Sequence, residues 1–267
     1  MRIDKALIVF RKDWLEIRRN WEILLPMLLV PLMFSIVLPS IITAVPGNAN
    51  STSTKNFTQN LPDNIKQEIS GLDSSHSIAY VMLVLLFAPL FLIIPLMTSS
   101  VISADSFAGE KERKTTEALL ATPLTDSELF IGKVLVAFLP SMAVTIFSFA
   151  VYSGITDFVF LGTGKMPLPN LSWIMMIFML APALSLMGIG ISVLVSSKVK
   201  GFREAQQVSA LTVIPVLALM FSQISGLLFL GPSLIILLSL AVFAAAVIIL
   251  RIGIGIFNRE SLLERIG

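Results

Sequence analysis

Few side chains in this sequence are equipped for covalent or metal chemistry. There is one histidine, His76, and no cysteine. A Ser–His hydrolase, a His-x-x-x-His metal site, a thiolate nucleophile and a disulfide are therefore all out of reach. The twelve methionines are scattered without ligand spacing. Gly162-Thr-Gly-Lys165 has the outline of a phosphate loop. It lacks the upstream glycine, however, and Met166 stands where Ser or Thr must follow the lysine. The sequence thus predicts no catalytic residue, no metal site and no cofactor held by this chain. What remains is charge, collected in a few short stretches.

The richest of these runs from Ser103 to Thr125 and mixes Glu110, Lys111, Glu112, Arg113, Lys114 and Glu117. Glu110 and Lys114 are spaced i,i+4, which favours a pair on one helix face. Leu119, Leu120 and Leu124 add an apolar edge, and Pro123 predicts a stop. Thr125-Asp-Ser-Glu128 then reads as a capping box opening the next helix. A short helix held between two longer ones can carry a push from a partner.

The elements that position this stretch follow from composition. The chain has 267 residues, 55% hydrophobic and 13% charged, whereas soluble domains carry about 25% charged residues. A helix needs about 20 mostly apolar residues to cross a membrane. Six stretches qualify: 23–45, 79–103, 129–155, 172–196, 208–230 and 233–257. None shows the alternation of a barrel strand, so the fold class is all-α integral membrane with six transmembrane helices. The plan is an amphipathic segment 1–22, a transmembrane domain 23–257 and a tail 258–267. An outer loop spans 46–78 and the charged loop 104–125. The first run is too long for a signal-peptide core.

Sixteen of the nineteen Lys and Arg residues fall on the side of the termini; Lys55, Lys66 and Lys165 fall on the other. The positive-inside rule therefore predicts both termini in the cytoplasm of a cell that holds the chain in its plasma membrane. Asn50, Asn56 and Asn170 head glycosylation triplets on the outer side. Ile3, Leu7, Phe10, Trp14 and Ile17 recur at helical spacing among basic residues, predicting an interfacial helix on the inner leaflet. The modest net charge of +2 gives no reason to expect nucleic acid. The spans hold almost no ionisable residue, which argues against an ion-coupled carrier. The loop 196–207 reads equally well as a second partner contact or as a basic anchor.

Phe107-Ala-Gly-Glu-Lys-Glu-Arg-Lys-Thr-Thr-Glu-Ala-Leu-Leu-Ala-Thr-Pro-Leu124, followed by Gly132-Lys133, resembles the signature loop of type-2 ABC transporter permeases. Family members carry Gly-Thr where Lys114-Thr115 stands, and the link Gly231-Pro232 between the last two spans is short. The resemblance implies the permease subunit of an ATP-driven exporter, pairing with a second copy or a similar chain. It also implies two copies of a separate ATPase subunit, which binds ATP and Mg. By that resemblance a coupling helix within 106–122 meets the ATPase through Phe107, Glu110, Lys111, Glu112, Arg113, Thr116, Glu117 and Leu120. Its displacement would tilt the first, second and fifth spans. The substrate and its path are not legible. A membrane scaffold that recruits a cytoplasmic protein, and a passive channel, remain as alternatives.

Overall fold

A computed structural model describes residues 3–44, 63–115, 124–199 and 201–256. Among these there are helices and no strands. The helix α1 covers Ile3–Ile17. The first span, α2, is Trp21–Ile42. After α3, Asp63–Ile69, come α4, Ser75–Leu86, and α5, Ala88–Glu112. The remaining spans are α6 (Asp126–Thr163), α7 (Leu171–Ser196), α8 (Phe202–Ile224) and α9 (Pro232–Gly255). Six of these helices are long and apolar enough to cross a membrane, as the sequence predicts.

The bundle is built around α5. Within the most apolar stretch of α5, 89% of residues lie inside the protein, against 22% for α2 and 17% for α8 and α9. A helix apolar all round belongs in the middle, and one buried on a single stripe belongs at the rim. α2, α6, α7 and α8 surround α5, α9 packs on α7, and α1 lies along α6. Small hydroxyl residues on α5 make the close fit possible. Ser103 Oγ donates to the Ile189 carbonyl at 3.4 Å, and Ser192 Oγ of α7 donates to the Ser100 carbonyl at 3.4 Å. Such bonds satisfy polar groups where lipid and water cannot.

Several boundaries differ from those read in the sequence. The second span is two helices, because the chain turns at Phe87. Pro89 has no N–H to offer the Leu85 carbonyl, and Phe87 N–H bonds the Met82 carbonyl at 3.0 Å instead of Leu83. Three neighbours take up the freed carbonyls. Tyr152 Oη of α6 donates to Leu83 at 2.7 Å, and Trp173 Nε1 of α7 donates to Val84 at 2.8 Å. The Gln223 amide of α8, oriented to satisfy both of its neighbours, donates to Leu85 at 3.2 Å and accepts from Leu230 N–H at 3.1 Å. Phe91, Phe149, Tyr152 and Trp173 stack around the same turn.

The fifth span begins at Phe202 rather than 208 and ends at Ile224, so half of the loop 196–207 is helix. The link to α9 is correspondingly longer than Gly231-Pro232. The α-helical part of α6 extends five residues beyond the predicted 155, to Phe160, before a tighter last turn to Thr163, and α6 opens with the expected capping box of Thr125 and Glu128.

Candidate functional site: the charged junction at the base of α5

The second span does not stop at Ser103. It continues through a widened turn, Asp105–Gly109, to Glu112, and Phe107 and Glu110 are turned inward there. The expected separate helix starting near Ser106 is thus, in its first half, the end of α5. Glu110 is 3% exposed and Phe107 6%. Neither side chain faces outward in this structure.

Glu110 does not pair with Lys114. Its carboxylate instead joins two cations that are remote in sequence. Lys133 of α6, fully buried, donates to Glu110 Oε2 and to the Ser106 carbonyl. Lys12 of α1 donates to Glu110 Oε1 at 2.8 Å. Asp13 of α1 lies 3.7 Å from Lys133 and accepts from Ser106 Oγ at 3.0 Å. Arg113 donates to Asp105 at 2.9 Å and pairs with Glu16 at 3.1 Å. Burial works to lower the Lys12 pKa, but the bond to Glu110 and the charge of Asp13 outweigh it and hold the ammonium above its usual range. Arg113 is held up in the same way, against burial, by Asp105 and then Glu16.

Asp13, Glu16 and Glu110 bring carboxylate oxygens within 4.8 Å of one another. Three acids so placed suit a cation, and here Lys12, Lys133 and Arg113 are those cations. The cluster has the chemistry of a clasp.

The next residues reach the other way. Lys111 Nζ donates to the Val199 carbonyl at 3.0 Å, and Glu112 Oε2 accepts from Phe202 N–H at 2.9 Å. The latter caps the first turn of α8, where a carboxylate is favourable. Lys111, Glu112 and Arg113 are exposed at the surface while making these bonds. Four consecutive residues therefore tie α5 to α1, α6 and the α7–α8 connection. Thr116, Glu117 and Leu120 lie outside the described residues, as do Asn50 and Asn56. Asn170 caps α7 by accepting from Trp173 N–H at 3.0 Å.

The helix ends in a Schellman turn. Lys114 N–H bonds the Lys111 carbonyl at 3.2 Å and Thr115 N–H bonds the Glu110 carbonyl at 3.0 Å, with Lys114 at φ +57°. That left-handed position favours glycine. The departure from Gly at this point in the motif is a change at a cap, not within a helix.

Gly132 and Lys133 act together. A Cβ at Gly132 would stand 2.7 Å from Val9 Cβ and 2.8 Å from the Ala6 carbonyl, so only glycine lets α1 lie this close to α6. The contact face of α1 is Ala6, Val9, Asp13 and Ile17. Leu7, on the face predicted to meet lipid, stays 48% exposed. Sequence reasoning missed Lys12, Asp13, Glu16 and Asp105. The available signal was Asp13, an acid on a stripe otherwise made of Ala6, Val9 and Ile17.

A six-span helical bundle with no catalytic constellation among its described residues, braced by a charged clasp at one end, has the form of a membrane transport component. The family described as ABC-2 family transporter protein matches residues 7–242, and the chain belongs to that family. It is a transmembrane permease of ABC transporters, and membership implies an ABC ATPase partner. No curated protein sequence matches the chain.

Proposed function

We propose that this chain is the permease subunit of an ATP-driven exporter, driven through the base of α5 by a separate ATPase subunit that binds ATP and Mg. The observation that carries this reading is the junction at 110–113. A displacement applied just beyond Arg113 reaches α1 and α6 through Glu110, and α8 through Glu112. Phe107 and Glu110 serve as positioning residues inside the junction. Lys111, Glu112 and Arg113 form the surface at the root of the docking segment, with Thr116, Glu117 and Leu120 as its direct contacts. In this reading the charged end and both termini are cytoplasmic, in accord with the distribution of Lys and Arg. Two copies, or this chain and a similar one, enclose the path above two ATPase subunits, and the uncovered faces of α2 and α8 leave room for that pairing.

The test is purification of the tagged chain from its native membrane in mild detergent, with mass spectrometry of bound subunits. A stoichiometric subunit carrying a P-loop supports the proposal. Its absence after cross-linking would leave a scaffold or channel in its place.

A further inference from the structure

The opposite end of the bundle holds a cavity of about 270 Å³. Its walls come from α3, the α4–α5 turn, the start of α7, and the link from α8 to α9. Its polarity is graded. Glu68 is exposed and Asn170 and Ser172 half-buried, which puts them at the rim, whereas Ala88, Met176 and Ile235 are buried and mark the floor. Met176 lies five residues into a span that starts at Leu171, which at 1.5 Å per residue is about 7 Å. The floor therefore sits within the apolar layer and the rim at headgroup level. Glu68 is the one ionisable side chain in the lining, and its backbone carbonyl accepts from Lys165 Nζ at 2.8 Å, which places a cation at the same rim. Its Oε2 accepts from Tyr80, on the wall side. The dipoles of α7 and α9 start at the same rim and place partial positive charge there. A rim that offers a carboxylate beside two helix starts complements a headgroup carrying an amine and a phosphate. The volume is below that of a drug-sized pocket and suits a section of one acyl chain.

We propose that this cavity is a binding site for a zwitterionic amino-phospholipid of the leaflet at that end, with its ammonium on Glu68 and one chain over Ala88 and Met176. The site is remote from the junction at 110–113 and does not depend on the transport reading.

Trp173 lines the cavity yet is 1% exposed, so bulk lipid cannot reach it. That makes it a reporter. In full-length protein carrying Trp14→Phe and Trp21→Phe, reconstituted into vesicles, Trp173 fluorescence is titrated with phosphatidylethanolamine brominated along its chains. Phosphatidylglycerol with the same chains is the comparison. The ethanolamine lipid should quench saturably, at a mole fraction about fivefold lower than the glycerol lipid, as expected for one partly solvated charge pair. Glu68→Gln, a surface change, should remove that preference while leaving the quenching by the glycerol lipid. Ala88→Phe should abolish quenching by both. Quenching that is linear in mole fraction, equal for both headgroups, or stronger for the anionic one overturns the proposal. So does quenching that survives Ala88→Phe.

Discussion

Glu110 of α5 and Lys133 of α6 form an ion pair with both side chains sealed inside the protein, at 4% and 0% exposure. Lys12 reaches the same carboxylate from α1 with its own side chain 44% exposed. Removing one member of such a pair leaves a buried charge with only its weaker partner, Lys12 for Glu110 or Asp13 for Lys133, at a cost of up to about 3–5 kcal/mol, whereas replacing both with apolar groups costs far less. Glu110→Met and Lys133→Met should therefore each lower the melting temperature in detergent sharply. The double variant should lie above the sum of the two, by about 0.5–3 kcal/mol of coupling. Strict additivity in thermal unfolding would show that the pair is not an energetic unit.

Lys114 occupies a left-handed cap. Lys114→Gly should stabilise the base of α5 by about 0.4–1 kcal/mol, since glycine adopts that conformation without a Cβ penalty, while Lys114→Val should destabilise it by more. Hydrogen exchange at residues 110–115 would register the difference, and unchanged protection in both variants would contradict the cap assignment.

α1 is held against α6 at Gly132. Gly132→Ala should push α1 away and cost about 1–3 kcal/mol, and Val9→Gly in the same chain should recover part of it by removing the Cβ that makes the 2.7 Å contact, the Ala6 carbonyl at 2.8 Å remaining. A disulfide cross-link engineered between α1 and α6 would report α1 docking directly. Failure of the second change to restore cross-linking would mean that the two residues do not meet.

The freed carbonyls at the α4–α5 turn give a fourth test. Tyr152→Phe removes the donor to Leu83, and Trp173→Phe removes the donor to Val84. A buried carbonyl left unsatisfied costs about 1–3 kcal/mol. Both variants should lose stability by that order and open the turn to proteolysis near Phe87. Wild-type melting in both would point to water or backbone replacing the lost donors.

Much of the architecture was legible in advance because membrane spans are written in composition. Runs of apolar residues of the right length have one solution in lipid, so six helices followed from the sequence. The capping box at Thr125 and Glu128 was equally local, since its partners are three residues apart. The turn at Phe87 was half visible: Pro89 announced a missing donor, but its remedy came from Tyr152, Trp173 and Gln223 on three other helices.

The charged motif shows where local reading ends. The sequence determined that 107–124 concentrates charge beside a span, because residue types and spacing carry that much, and a partner-coupled permease was what its resemblance to a family implied. It could not say which way Glu110 faces. Charge read one residue at a time is assigned to the surface, and the i,i+4 rule offered Lys114 as a partner. Only the tertiary structure brought Lys12 and Lys133 to that carboxylate, across 98 and 23 residues of chain. A buried charge is stable only where opposite charge meets it, and that meeting is settled by how helices pack.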